Sequence, residues 1–148
     1  IIDKAVYKED DYTLWFGPNR FMPQWGDRMN LSTSQIDTNK STALDYSVKT
    51  ICWNSLIKQC GHNLSVVKVD IEGAEEYILA DLLNYVRSGG VPCIVSFHQS
   101  WWRVAKLDQF DFTGVRVETL LEQPVSDVIN WVSQDPFGTL VFLPIVSN

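Results

Sequence analysis

The stretch "VVKVDIEGAEEYIL", residues 66–79, joins a run of β-branched residues to a cluster of carboxylates around a glycine. Its valines and isoleucine up to residue 71 predict a strand buried on both faces, as parallel strands of α/β proteins are. From residue 74 onward, apolar side chains recur at helical spacing until Gly89 and Gly90, which predicts a helix. A core strand therefore ends on acidic residues and turns directly into a helix.

The segments on either side repeat this alternation. We predict a strand at residues 48–52, a short helix at 53–59 ended by Gly61, and a buried strand in "VPCIVSFHQ", residues 91–99. An order of strand, helix, strand, helix and strand predicts a parallel sheet with right-handed crossovers and helices on both faces. The fold class is therefore α/β, and 148 residues suit a single domain spanning 1–148.

The two ends of the chain carry weaker patterns. "IIDKAV" and "DYTLWF" predict adjacent strands joined by a turn. Near the other end, residues 124–134 predict a helix opened by Pro124 and capped by Ser126, and "TLVFLPIV" predicts a last strand in which Pro144 indicates an edge or a bulge. Residues 17–41 show neither period, which predicts a long loop, and its aromatic residues favour a binding loop.

Charge and composition exclude several classes of function. The net charge of −6 repels phosphate backbones, so nucleic acid is not an expected partner. No apolar run approaches the roughly 20 residues that cross a bilayer. Three cysteines, an odd number, argue against a disulfide framework and favour a reducing, cytoplasmic compartment. The sequence carries no mark of an oligomeric state.

Candidate site residues follow two neighbouring strands. Asp70 and Glu72 end one strand and His98 ends the next, so parallel pairing would bring them to one edge, where ligands of such sheets bind. Asp70 or His98 could accept a proton. The alternatives are structural: Asp70 as a helix cap, Glu72 and Glu75 as partners of the helix dipole, and His98 as a hydrogen-bonded structural residue.

Aromatic residues near this edge predict a binding surface. Trp101 and Trp102 follow His98 and suit a pocket wall for an apolar or sugar-like substrate, or they pack under the next helix. Trp25 in the long loop is a further candidate substrate-binding residue. Asp70, Glu72 and His98 could also ligate Mg²⁺ or Mn²⁺, but they form no spacing signature, so a divalent metal is possible and not favoured.

Residues 66–79 resemble the "KiDvEGaE…vL" signature of FkbM-type methyltransferases, which transfer a methyl group from S-adenosylmethionine, usually to a hydroxyl oxygen. The resemblance covers residues 1–102 and implies a Rossmann-like class I methyltransferase sheet that lacks its first two βα units. It implies that Asp70 and Glu72 lie beside the methionine part of the cofactor and the acceptor. It further implies that Ala5 and Val6 lie near the adenine.

Two functions follow as hypotheses. In the first, the protein O-methylates a hydroxyl of a small molecule or sugar, with Asp70, Glu72 and His98 as catalytic residues and Asp70 also contacting the cofactor. His98 stands where the family commonly has an acidic residue. In the second, the chain is a catalytically inactive methyltransferase-like module that binds carbohydrate or protein through its aromatic loop.

Overall fold

The computed structural model of the protein describes residues 2–18, 27–29, 46–71, 75–97, 104–135 and 138–145. Eight strands and three α-helices lie in these ranges. In chain order they are β1 (Ala5–Val6), β2 (Thr13–Pro18), β3 (Asp27–Met29), β4 (Tyr46–Ile51), α1 (Trp53–Cys60), β5 (Val67–Val69), α2 (Leu79–Arg87), β6 (Cys93–Ser96), β7 (Val115–Thr119), α3 (Val128–Gln134) and β8 (Thr139–Pro144). Short 3₁₀ helices lie at Gly61–Asn63, Glu75–Tyr77 and Val104–Gln109.

The strands form two mixed sheets of four strands, in the orders β1-β4-β2-β3 and β5-β6-β8-β7. β1 pairs with β4 and β5 with β6 in parallel, whereas β2 and β8 run antiparallel to their neighbours. The α/β content agrees with the sequence-based expectation. The expected single parallel sheet is not what the described strands form, because β2 and β8 reverse direction and add antiparallel pairs to each parallel pair.

The predicted adjacency of the first two strands is wrong, since β4 lies between β1 and β2. The polar link between them crosses the end of β4 and bonds to it. Asp11 donates its backbone N–H to the carbonyl of Thr50, and Thr50 donates its own N–H to the carbonyl of Tyr12, both at 2.9 Å. The sequence of a turn between two consecutive strands does not indicate whether the two strands pair with each other or with a third strand that lies between them.

The segment at residues 17–41, predicted as a loop, contains strand residues. β2 extends to Pro18, and β3 pairs with it in antiparallel register, with Gly17 opposite Arg28. A strand of three residues has too few side chains to show a period of two, which explains why β3 was not predicted. The remainder of that segment, with Trp25, lies outside the described residues.

A single residue, Cys52, separates β4 from α1, which lies close to the predicted bounds. The first turn of α1 is held by a residue far away in the sequence. The carboxylate of Asp10 accepts the backbone N–H of Cys52 at 2.8 Å and the hydroxyl of Ser55 at 2.6 Å. The hydrogen bond from Ser55, followed by that from Cys52, lowers the pKa of Asp10. Gly61, with φ of 73°, ends the helix as predicted.

The predicted helix after β5 is divided into a 3₁₀ turn and α2. The residue between them, Ile78, has φ −121° and ψ −11°, and α2 therefore starts at Leu79 instead of near residue 74. Gly89, with φ of 86°, returns its N–H to the carbonyl of Val86 and closes the helix. The buried face of α2 confirms the predicted helical period and consists of Leu79, Leu82, Leu83 and Val86.

Helix α3 starts at Val128, and its cap is Asp127 instead of the predicted Ser126. The Asp127 backbone is extended, and its carboxylate accepts the N–H of Asn130 at 2.9 Å. Both residue types are good caps, so their order in the sequence does not distinguish them. The backbone at the boundary decides, because the cap must be the last extended residue before the helix.

The last two strands differ most from expectation. β7 was not predicted, and it forms the edge of the second sheet. Pro144 was expected to mark β8 as an edge strand or as the site of a bulge, but β8 lies between β6 and β7. Pro144 fits there because it is the terminal residue of β8, opposite Val115, where the ladder ends.

One hydrophobic cluster joins the three helices to the second sheet. Its largest fully buried side chains include Trp53 of α1, Phe97 after β6 and Phe142 of β8. Burying each such ring contributes roughly 1.5–3 kcal/mol. The Trp53 ring meets the ring of Tyr85 in α2 edge-on at a centroid distance of 5.9 Å, so α1 and α2 pack against each other. Of the helices in the described ranges, none is both long and apolar enough to cross a membrane.

Candidate functional site

The carboxyl ends of β5 and β6 lie side by side, as the sequence predicted. The two strands pair in parallel with Val69 opposite Val95, so Asp70 leaves β5 beside the last residues of β6. Phe97, which follows β6, is fully buried. Asp70 itself is exposed. It therefore lies on the surface, beside a strand end that Phe97 anchors in the core.

Asp70 is exposed and forms an ion pair. The Nζ of Lys68 lies 2.6 Å from Oδ2 of Asp70, and the two side chains are 59% and 40% exposed. The pairing follows from the strand geometry, because residues two apart point to the same face. A surface pair of this kind contributes about 0–1 kcal/mol, so a bound ligand can displace Lys68 from the carboxylate at little cost.

Glu75 in the same motif has a structural role. Its side chain is buried, and Oε1 accepts the backbone N–H of Ile71 at 3.1 Å. This bond links Ile71, the residue after Asp70, to the start of the 3₁₀ turn. Glu75 therefore has a structural role beyond any effect on the helix dipole, because a buried backbone N–H left without an acceptor would destabilise the fold.

Ala5 and Val6, the residues implied to lie near an adenine, form β1 and are half-buried. They pair with Thr50 and Ile51 of β4, and Val6 also packs against the hydrophobic core. The strand end is thus an apolar surface of small side chains, continued by the ring of Tyr7.

Three tyrosines lie together at this strand end, and the sequence analysis did not identify them. Tyr7 stacks on Tyr12 at 6.0 Å between ring centroids and meets Tyr77 at 4.6 Å with the rings tilted by 57°. Lys8 lies 5.7 Å from the centroid of the Tyr7 ring. No spacing signal links these residues, because Tyr7 and Tyr77 lie 70 positions apart and meet only through the fold.

The Tyr77 hydroxyl is held in its neutral form. Burial is the main cause, and the negative charge of Glu76 adds to it, together with contacts to Tyr7; these effects raise the pKa of Tyr77 to about 12. At neutral pH this phenol therefore remains a hydrogen-bond donor.

Five of the predicted site residues lie outside the described residues: Glu72, His98, Trp25, Trp101 and Trp102. Among the sequence-predicted residues that the structure describes, Asp70 follows β5 and Ala5 and Val6 form β1, on two different sheets. Where the structure describes the chain, no group of three or more His, Cys, Asp or Glu side chains could hold a metal ion.

Comparisons of the chain with protein-family models, with curated proteins and with solved structures found no match. The site is therefore interpreted from its own geometry: an exposed carboxylate at one strand end, an apolar strand end of Ala5 and Val6, and a tyrosine cluster that joins the segments carrying them.

Proposed function

We propose that this chain is the acceptor-side part of an S-adenosylmethionine-dependent methyltransferase that methylates a hydroxyl oxygen of a small molecule or sugar. The observation that supports this most directly is the position of the "KVDIEGAE" motif at the carboxyl end of β5, beside the parallel strand β6. Open α/β sheets bind ligands at that end of their strands.

The second sheet places the strand before the motif next to a parallel neighbour. β5 lies beside β6, and β8 runs antiparallel between β6 and β7. The α/β content and the parallel pair β5–β6 are compatible with a Rossmann-like sheet.

The residues present fit the cofactor in chemical type. The ammonium and sulfonium groups of S-adenosylmethionine are cations, and Asp70 provides an exposed carboxylate that already binds the ammonium of Lys68. The small apolar side chains of Ala5 and Val6 suit the edge of a planar base. When bound, the cofactor would supply an electrophilic methyl group to the acceptor oxygen.

Within this proposal the chain's own residues orient the acceptor and take its proton. Asp70 accepts the hydroxyl proton, which requires a hydrogen bond of roughly 2.6–3.2 Å to the acceptor oxygen. Lys68, now paired with Asp70, would be released from it as the acceptor binds. His98 remains the second candidate for the base, and Glu72 and the three tryptophans stay proposals for the acceptor side.

The test uses the intact protein as its source produces it, with tritiated S-adenosylmethionine as the binding probe and a panel of hydroxylated small molecules and sugars as acceptors. We expect saturable cofactor binding and transfer to an acceptor. Asp70→Asn should lower transfer by about 10²- to 10⁴-fold, the usual contribution of a general base, while the circular dichroism spectrum is unchanged. Asp108→Asn, at another exposed carboxylate, is the matched control and should leave transfer within twofold.

Two outcomes would contradict the proposal in different ways. Unchanged transfer in Asp70→Asn would remove Asp70 as the base. No cofactor binding by the intact protein would reject methyl transfer and favour the second hypothesis, an inactive module that binds carbohydrate or protein.

A further inference from the structure

The contact between Tyr7 and Tyr77 joins two parts of the molecule that belong to different sheets. Tyr7 follows β1 in the first sheet, and Tyr77 ends the 3₁₀ turn that follows β5 in the second. Their ring centroids are 4.6 Å apart. An aromatic pair at this distance contributes about 0.5–1.5 kcal/mol beyond its buried area, enough to matter for the relative position of two strand ends.

Both rings are anchored by the backbone on either side. Tyr7 is buried, and its N–H donates to the carbonyl of Ile51 at 3.0 Å. Tyr77 lies between Glu75, whose side chain holds Ile71, and the buried Ile78, whose N–H donates to the carbonyl of Glu75 at 3.0 Å. Ile71 and the 3₁₀ turn are thus held at Glu75 and, through Tyr77, at the Tyr7 ring.

The contact between the two segments is made by the rings. Tyr77 meets Tyr7 at the shorter of the two centroid distances in the cluster, 4.6 Å, and lies two residues after Glu75. Tyr12 stacks on Tyr7 at 6.0 Å and belongs to the segment before β2, so it provides a matched ring for comparison.

We propose that Tyr7 and Tyr77 are positioning residues that, through Glu75, hold Ile71 and the adjoining Asp70 in register with the end of β1. The proposal rests on the proposed function, in which Asp70 serves the acceptor and the cationic groups of the cofactor, while Ala5 and Val6 serve its base. These two groups lie on separate sheets, so the distance between them depends on contacts that cross between the sheets. A displacement of about 1 Å in such an arrangement can lower a rate by about 10²-fold.

The first experiment measures how firmly Ile71 and the 3₁₀ turn are held in the absence of any ligand. Hydrogen exchange of the amides of Ile71 and of residues 75–78 is compared between the wild-type protein, Tyr77→Leu and Tyr12→Leu. Tyr77→Leu removes the ring contact with Tyr7, and we expect exchange to increase about tenfold at Ile71 and in the 3₁₀ turn. Tyr12→Leu should leave both unchanged. Equal exchange in Tyr77→Leu and wild type would overturn the proposal.

The second experiment uses the intact, active enzyme and separates binding from turnover. Tyr77→Leu should lower kcat about tenfold and raise the KM for S-adenosylmethionine by a smaller factor, because Asp70 shifts while Ala5 and Val6 keep their pairing with β4. The double variant Tyr7→Leu/Tyr77→Leu should lose no more than the single variant, since the two rings act through one contact. Additive losses, or a fall in active protein with unchanged kcat, would indicate a purely structural contact and overturn the proposal.

The two experiments distinguish a failure of this proposal from a failure of the proposed function. If the intact wild-type protein binds no cofactor, the proposed function is rejected by that result alone. The exchange measurement then still decides whether Tyr7 and Tyr77 hold the loop.

Discussion

Burial of Cys93 predicts a loss of stability at high pH that can be assigned to a single thiol. Cys93 lies in β6, paired with Val67 on one side and Phe142 on the other, and it is fully buried. Desolvation raises its pKa from 9.0 to about 12. The thiol is therefore neutral in the folded protein under conditions in which the unfolded chain would carry a thiolate.

The direction and size of the change in unfolding free energy with pH follow from proton linkage. Below about pH 9 the thiol of Cys93 is protonated in both states and has no pH-dependent effect. Above that pH the unfolded chain loses its proton first, so the free energy of unfolding falls by about 1.4 kcal/mol per pH unit until the folded thiol also ionises near pH 12. From about pH 8 to 10.5 the expected loss from this group is about 2 kcal/mol.

The assay is urea unfolding followed by far-ultraviolet circular dichroism at several pH values in a reducing buffer. Cys93→Ala removes the ionising group, and Cys60→Ala is the control because Cys60 is exposed. We expect Cys93→Ala to be less stable than wild type at pH 8 because of the cavity, and to lose about 2 kcal/mol less between pH 8 and 10.5. Parallel pH profiles for Cys93→Ala and wild type would refute the reasoning, since they would mean that the folded protein ionises this thiol normally.

Two further predictions concern local structure. Asp127→Ala should lower the free energy of unfolding by about 1 kcal/mol because α3 loses its cap, whereas Ser126→Ala should change it by less than about 0.5 kcal/mol. Urea unfolding of both variants measures this difference. A larger loss in Ser126→Ala would identify Ser126 as the cap. Glu75→Ala should lower the free energy of unfolding by about 1–3 kcal/mol because the Ile71 N–H loses its acceptor. Glu75→Gln keeps a carbonyl oxygen and should lower it by less than half as much. Equal shifts of the melting temperature in the two variants would contradict the role of that hydrogen bond.

The sequence predicted those elements whose signals are local and long enough to repeat. The apolar period of α2 and the glycine after α1 each lie within the element concerned, and both appear in the structure. The parallel pairing of β5 and β6 was also predictable, because a helix between two buried strands requires a crossover. Asp70 could therefore be placed at a strand end from the sequence alone.

The features that were missed depend on distant parts of the chain. β4 lies between β1 and β2, and β8 lies between β6 and β7. These positions depend on which strands pair, and the sequence of a strand does not identify its partner. The ion pair of Asp70 with Lys68 follows from a two-residue spacing, but the spacing alone does not say whether the pair is exposed. The contact of Tyr7 with Tyr77 has no sequence signal at all.

The cap that Asp10 provides for α1 has a consequence for the order of folding. The Asp10 carboxylate reaches the amide of Cys52 across 42 positions, so the helix start is completed only when a loop of that length has closed. Closing it costs on the order of 3 kcal/mol of chain entropy plus a constant, which delays the cap relative to contacts within α1 itself. The same relation makes the site tolerant of length: doubling the chain between these two residues would add only about 0.6 kcal/mol. The length of the chain between Asp10 and Cys52 therefore has little effect on the stability of the α1 start.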